Sequence, residues 1–121
     1  MSVTARSLRW MAGAALALAA LAAVHGSAAV PPVVVAISAH RFDFSPAEVT
    51  LERGQPVILR LTSLDVTHGF FSKQLGLDEI IEHGKTLDVP LTPREAGRFT
   101  VICDHFCGAG HGNMKLVIVV R

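Results

Sequence analysis

Residues 103–114, CDHFCGAGHGNM, place two cysteines, two histidines and a methionine within twelve positions, with glycines at 108, 110 and 112. Thiolate and thioether sulfurs select soft ions such as Cu(I), and imidazole nitrogen suits copper in both oxidation states. Cys103, Cys107, His111 and Met114 follow one another at intervals of four, four and three, which would form one stripe of a helix. The glycines oppose a helix, each costing ~1 kcal/mol relative to Ala in a helix interior. A loop is therefore expected. Glycine's freedom to take positive φ lets such a loop curl until side chains four apart point at one place.

Three chemistries compete for these residues. Two cysteines in an exported chain suggest a disulfide, and on cysteine count alone that reading and a metal site stand level. Zinc could be surrounded by two Cys and two His, but Met114 speaks against it, because thioether is not among zinc's usual donors. A single blue copper held by His68, Cys107, His111 and Met114 has the right donor types. It leaves Cys103 as an idle thiol beside a redox metal, an oxidation hazard. The loop offers only one well-placed histidine, His111, so a further imidazole must come from elsewhere. The stretch LDVTHGF supplies His68 at the start of an expected strand.

These side chains have to be held by strands. VVVAISAHRFDF is rich in β-branched and aromatic residues, while AEVTLERG and PVILRLTS alternate apolar with polar side chains. Further strands are expected at His68–Phe71, Thr86–Leu91, Arg98–Cys103 and Lys115–Val120, with turn signals at Ser45-Pro46, Arg53-Gly54, His83-Gly84 and Ala96-Gly97. The cysteine loop then leaves one strand at Cys103 and joins the next just after Met114, so both its ends are pinned to sheet. No helix of ten or more residues is expected after residue 29; Leu75–Ile81 has room for a short turn of helix at most, because Gly76 argues against anything longer. About seven short strands in some 90 residues imply an all-β, two-sheet antiparallel sandwich with Greek-key connections.

Residues 1–29 stand apart from this domain. Arg6 and Arg9 precede an alanine-rich apolar run from Trp10 to Val24, then HGSAA with small residues suited to cleavage after Ala28 or Ala29. A cleaved signal peptide is the preferred reading and a retained N-terminal membrane anchor the alternative. Both send residues 30–121 across the membrane to the periplasmic or extracytoplasmic side. Of the eleven Lys and Arg, two fall in this segment, leaving nine against ten Asp and Glu. With no basic field, and no Tyr or Trp beyond residue 29, nucleic-acid binding is excluded as a sensible reading.

The pair DVTHGF and CDHFCGAGHGNM resembles the CuA-binding domain of cytochrome c oxidase subunit II, a cupredoxin whose motif is an upstream His followed by Cys-x3-Cys-x3-His-x2-Met. FDFSPAEVTLERGQPV and the closing KLVIVV extend the likeness over most of the chain after Val33, and the short subunits II of B-type haem-copper oxidases look nearest. The resemblance implies a cupredoxin-like Greek-key β-sandwich carrying two copper ions bridged by Cys103 and Cys107. His68, Met114, His111 and the backbone carbonyl of His105 would complete the ligands. Many family members have Glu where this chain has His105, which puts in doubt the contact to an oxidase core but not copper binding. Aromatic electron uptake, if used, would fall to Phe70, Phe71 or Phe106, and Asp65 or Asp104 would orient ligand imidazoles.

The resemblance thus implies single-electron transfer from a cytochrome c or another cupredoxin toward an acceptor, possible in an oxidase through its haem-copper catalytic subunit. No carboxylate pair or nucleophile-base pair suggests catalysis by the domain itself. A periplasmic copper carrier or assembly factor is the rival of another class.

Overall fold

A computed structural model describes residues 30–121; the signal or anchor expected over 1–29 lies outside the described residues. Nine strands make up the domain: β1 (Val33–His40), β2 (Asp43–Ser45), β3 (Glu48–Leu51), β4 (Val57–Ser63), β5 (His68–Ser72), β6 (Leu77–Ile81), β7 (Thr86–Leu91), β8 (Gly97–Ile102) and β9 (Lys115–Val120). One turn of 3-10 helix, His111–Asn113, is the only helical element among the described residues. No helix there is long and apolar enough to cross a membrane.

The strands form two sheets, ordered β2-β1-β4-β7 and β3-β9-β8-β5-β6. Period-two alternation decides which side chains face inward. In β4 it buries Val57, Leu59 and Leu61, and in β9 Leu116, Ile118 and Val120. Phe44 and Phe70 meet edge to face between the sheets, ring centroids 5.6 Å apart at 86°. Each fully buried side chain of this size contributes roughly 1.5–3 kcal/mol, so the sandwich rests on its apolar interior. The ion pairs Arg60–Asp88, Arg98–Glu48 and Arg121–Glu52 lie exposed and are worth little individually.

Two expectations need correction. The sandwich is mixed rather than antiparallel: β1 runs parallel to β4 from Val33 opposite Val57 to Ala39 opposite Ser63, and β3 runs parallel to β9. Alternation sets faces but not strand direction, and neither parallel pair is joined by a hairpin whose turn could have announced it. Leu75–Ile81 is not helical. Gly76, at φ 66°, turns the corner of a hairpin, its N–H bonding to the Lys73 carbonyl, and β6 pairs antiparallel with β5. Leu77 and Ile81 both point into the core, which a strand satisfies at a spacing of four as readily as a helix does.

The architecture leaves one pole for chemistry. β8 ends at Ile102 opposite Lys115, the first residue of β9, and β5 begins at His68 on the other side of β8. β5 and β8 are registered at a single pair, Phe71 opposite Ile102. At that seam the backbone of residues 104–105 lies directly on Gly69: a Cβ there would come within 2.7 Å of the His105 nitrogen and 2.8 Å of the Asp104 nitrogen. Gly69→Ala is therefore expected to destabilise the domain by about 1–3 kcal/mol through overpacking. Denaturant unfolding checks this, and a fully stable variant would show that the seam yields more than its backbone contacts suggest.

Candidate metal centre

Residues 103–114 form a closed loop. The Cys103 N–H donates to the Met114 carbonyl at 3.1 Å, joining the ends, and Met114 N–H returns to the His111 carbonyl at 3.1 Å. Inside the loop, Gly108 takes φ 142°, a value that disfavours any side chain. Gly110 and Gly108 both lie on the ring of Phe42; a Cβ would approach its carbons to 2.5 Å and 2.8 Å respectively. Phe42 thus acts as a floor against which only glycines fit.

The curl brings the donor atoms together around two sulfurs. Cys103 Sγ and Cys107 Sγ lie 3.6 Å apart as free thiols, well beyond the ~2.05 Å of a disulfide bond. His68 Nδ1 is 3.9 Å from Cys103 Sγ, His111 Nδ1 is 3.6 Å from Cys107 Sγ, and Met114 Sδ is 3.8 Å from Cys107 Sγ. The His105 carbonyl oxygen lies 3.2 Å from Cys103 Sγ. Donor atoms of His68, Cys103 and Cys107 all fall within 4.8 Å of one another. Every candidate ligand named from the sequence therefore reaches one place, whether its side chain or, for His105, its carbonyl is considered. His68 is fully buried and Met114 is 1 % exposed, while His111 sits half-buried nearer the rim.

The surroundings fix orientation. Asp65 Oδ1 accepts from His68 Nε2 at 2.7 Å; an ionised carboxylate can only accept, so Nε2 carries a proton, and in the neutral ring the lone pair is then on Nδ1, toward Cys103. Partial burial pushes the Asp65 carboxyl up, but the main-chain N–H groups of Arg41 and Val66 together with His68 outweigh it and hold the group well below the usual carboxylate range. Burial first, then the neighbouring Cys103 and the Asp65 charge, push the Cys107 thiol up to about 11, against a downward pull from Arg41. The Gly69 N–H donates to Cys103 Sγ at 3.3 Å.

Of the two candidate orienting carboxylates, Asp65 is the one on a candidate ligand imidazole, that of His68; Asp104 instead lies over Gly69. Phe70 belongs to the core and Phe71 is half-buried. Phe106 is 75 % exposed, its ring 6.0 Å from that of His111. The imidazole of His105 is exposed, with Nδ1 3.1 Å from the Phe106 carbonyl. Arg41 and Phe42 escaped sequence reasoning. Arg41 Nε donates to the Cys107 carbonyl at 2.8 Å from 66 positions upstream, and no local pattern in RFDF marks either residue as part of a site.

Soft sulfur donors and imidazoles fit copper better than zinc. The chain is 31% identical over 87 residues to "Cytochrome c oxidase subunit 2" of Thermus thermophilus, covering 72% of this chain and 64% of that protein. Over 93 residues it is 34% identical to the "Nitrous-oxide reductase" of Cupriavidus necator, covering 74% of this chain but 14% of the enzyme. The chain thus spans less than two thirds of the curated relatives' length. The crystal structure of the periplasmic domain of subunit II of cytochrome oxidase from Bradyrhizobium japonicum superposes with a TM-score of 0.68 at 16% identity, covering 77% of this chain and 88% of that one. A family model for the cupredoxin-like domain matches residues 10–120, and with the two-sheet fold and the sulfur-imidazole loop at its pole, the chain belongs to the cupredoxin-like family.

Proposed function

We propose that residues 30–121 form an extracytoplasmic electron-transfer domain whose loop holds a binuclear CuA centre. Cys103 and Cys107, with His68, Met114, His111 and the His105 carbonyl, would hold two copper ions. Residues 1–29 export the domain, as a cleaved signal or as an anchor to the inner membrane. The observation that carries the reading is the pair of unbonded sulfurs 3.6 Å apart, each flanked by an imidazole nitrogen. When bound, two bridged coppers supply a one-electron store whose charge is shared between them.

The chain's own residues supply rigidity and access. Strands pin the loop at both ends, Asp65 fixes the His68 ring, and both sulfurs and His68 are buried. That closure favours an electron carrier over a carrier that surrenders metal to an acceptor. The placement of Cys103, buried and accepting the Gly69 N–H, favours a working sulfur over the idle thiol of a blue single-copper site. Phe106 extends from the His111 ring to solvent and forms the docking point for a cytochrome c or another cupredoxin as donor. The acceptor is a second redox protein, for which the likeness to cytochrome c oxidase subunit 2 supports a haem-copper oxidase catalytic subunit as the candidate.

Copper-loaded protein is expected to give an EPR spectrum with more hyperfine lines than one copper nucleus can produce, and Cys103→Ser should collapse that pattern or lose a copper. A one-copper pattern in the unaltered protein defeats the assignment. In the metal-free protein, the fold favours a protonated Cys107 thiol, so its contribution to stability is fully present below the ordinary thiol value of 9.0. It is lost as pH rises toward about 11. Thermal unfolding across that window should show the decline, flattened in Cys107→Ser. Phe106→Ala should slow bimolecular reduction by cytochrome c on the order of tenfold, equivalent to ~1.4 kcal/mol at a docking residue, while leaving the copper spectrum unchanged; stopped-flow mixing measures both.

A further inference from the structure

Arg41 lies outside the ligand set, just past the end of β1 in the opposite sheet, yet it touches both halves of the centre. Its main-chain N–H donates to Asp65 Oδ2 at 2.7 Å, and Asp65 holds His68 through its other oxygen. Its side chain donates from Nε to the Cys107 carbonyl at 2.8 Å. The same guanidinium lines a surface hollow beside the loop with Thr67, His105 and Phe106. The link to Asp65 is a main-chain bond that any residue except proline could make. The side chain therefore has a separate role, and it brings a permanent charge to a bridging cysteine.

We propose that Arg41 is a positioning residue that fastens the Cys107 end of the loop and holds a fixed positive charge against the metal centre, raising its reduction potential. The inference rests on the copper reading above. On reduction, one electron passes from an external reductant into the centre, no bond forms or breaks, and the centre's total charge falls by one. A nearby cation stabilises the reduced state more than the oxidised one. Solvent moderates the effect, because the Arg41 side chain is exposed on its outer side. The Nε hydrogen bond acts independently of charge, holding the carbonyl of Cys107 and so the backbone that aims its sulfur.

Three variants of the full chain separate these roles: Arg41→Lys keeps the charge, Arg41→Gln keeps a donor without charge, and Arg41→Met keeps neither. All retain the main-chain bond to Asp65, so the His68 ring stays in place. At the poise where the unaltered protein is half reduced, the Gln and Met variants are expected to show a reduced-to-oxidised ratio about tenfold lower, ~59 mV for a one-electron couple. Arg41→Lys should recover most of that shift. Copper transfer to a chelator should be fastest in Arg41→Met. Equal potentials in all four proteins, or a Lys variant that behaves as Met does, overturn the proposal.

The parent reading is judged separately, by the EPR spectrum of the unaltered protein. If that spectrum fails the two-copper test, the electrostatic role of Arg41 falls with it, and the loop anchor is decided on metal-free protein by NMR. Slow solvent exchange of the Arg41 Nε–H, with Gly108 and Gly110 amide shifts displaced in Arg41→Met, supports the anchor. Fast exchange and unmoved shifts overturn it.

Discussion

The metal loop depends on one hydrogen bond, from the Cys103 N–H to the Met114 carbonyl at 3.1 Å. It extends the β8–β9 ladder one step past Ile102 and Lys115 and so closes a ring of backbone whose only outlet is inward curl. Within a ring of that size the side chains of Cys107 and His111 have little room except toward Cys103. The glycines and the Phe42 floor then select among the curls that remain, because Gly108 and Gly110 leave no space for a Cβ above that ring. Sheet, closure and floor together turn a flexible sequence into a fixed arrangement of donors.

The second constraint is polar. His68 is fully buried, and an imidazole in that position needs a partner for its second nitrogen. Asp65 supplies it, and the Asp65 carboxylate is held in turn by main-chain N–H groups at Arg41 and Val66. The chain of bonds runs from one sheet to the other, so the orientation of a buried ring in the five-stranded sheet is set partly from the end of a strand in the four-stranded one. Mobile ligands would change position with oxidation state. A ring tied this way would shift little beside a metal that changed oxidation state, which is the property the proposed one-electron relay requires.

Much of this was legible in the sequence because it is written locally. Thr86–Leu91 and Lys115–Val120 have the bounds that their alternating and β-branched residues imply, and the cysteine loop falls between strands as its glycines require. His68 is marked by stoichiometry rather than pattern, because the loop holds too few well-placed imidazoles of its own. The misreadings have physical causes. Strand direction leaves no mark on a period of two, so the parallel pairs β1–β4 and β3–β9 were unreadable. Leu77 and Ile81 satisfy either period, and only the turn at Gly76 decides between them. Arg41 and Phe42 act across the width of the sandwich, and their roles exist only once two sheets have been brought face to face.

The weakest join in the five-stranded sheet lies under the metal site. β5 meets β8 in register only where Phe71 faces Ile102, whereas β8 and β9 are paired from Gly97 opposite Val120 to Ile102 opposite Lys115. His68 and Cys103 stand at the open end of that join, one on each side, with the Gly69 N–H reaching across to the Cys103 sulfur. A metal gripped by both residues would act as a clasp, zipping the β5–β6 hairpin to the rest of its sheet. Copper would then be a mechanical part of the sandwich as well as its redox element, and emptying the cage would leave that hairpin the first portion of the fold free to swing away.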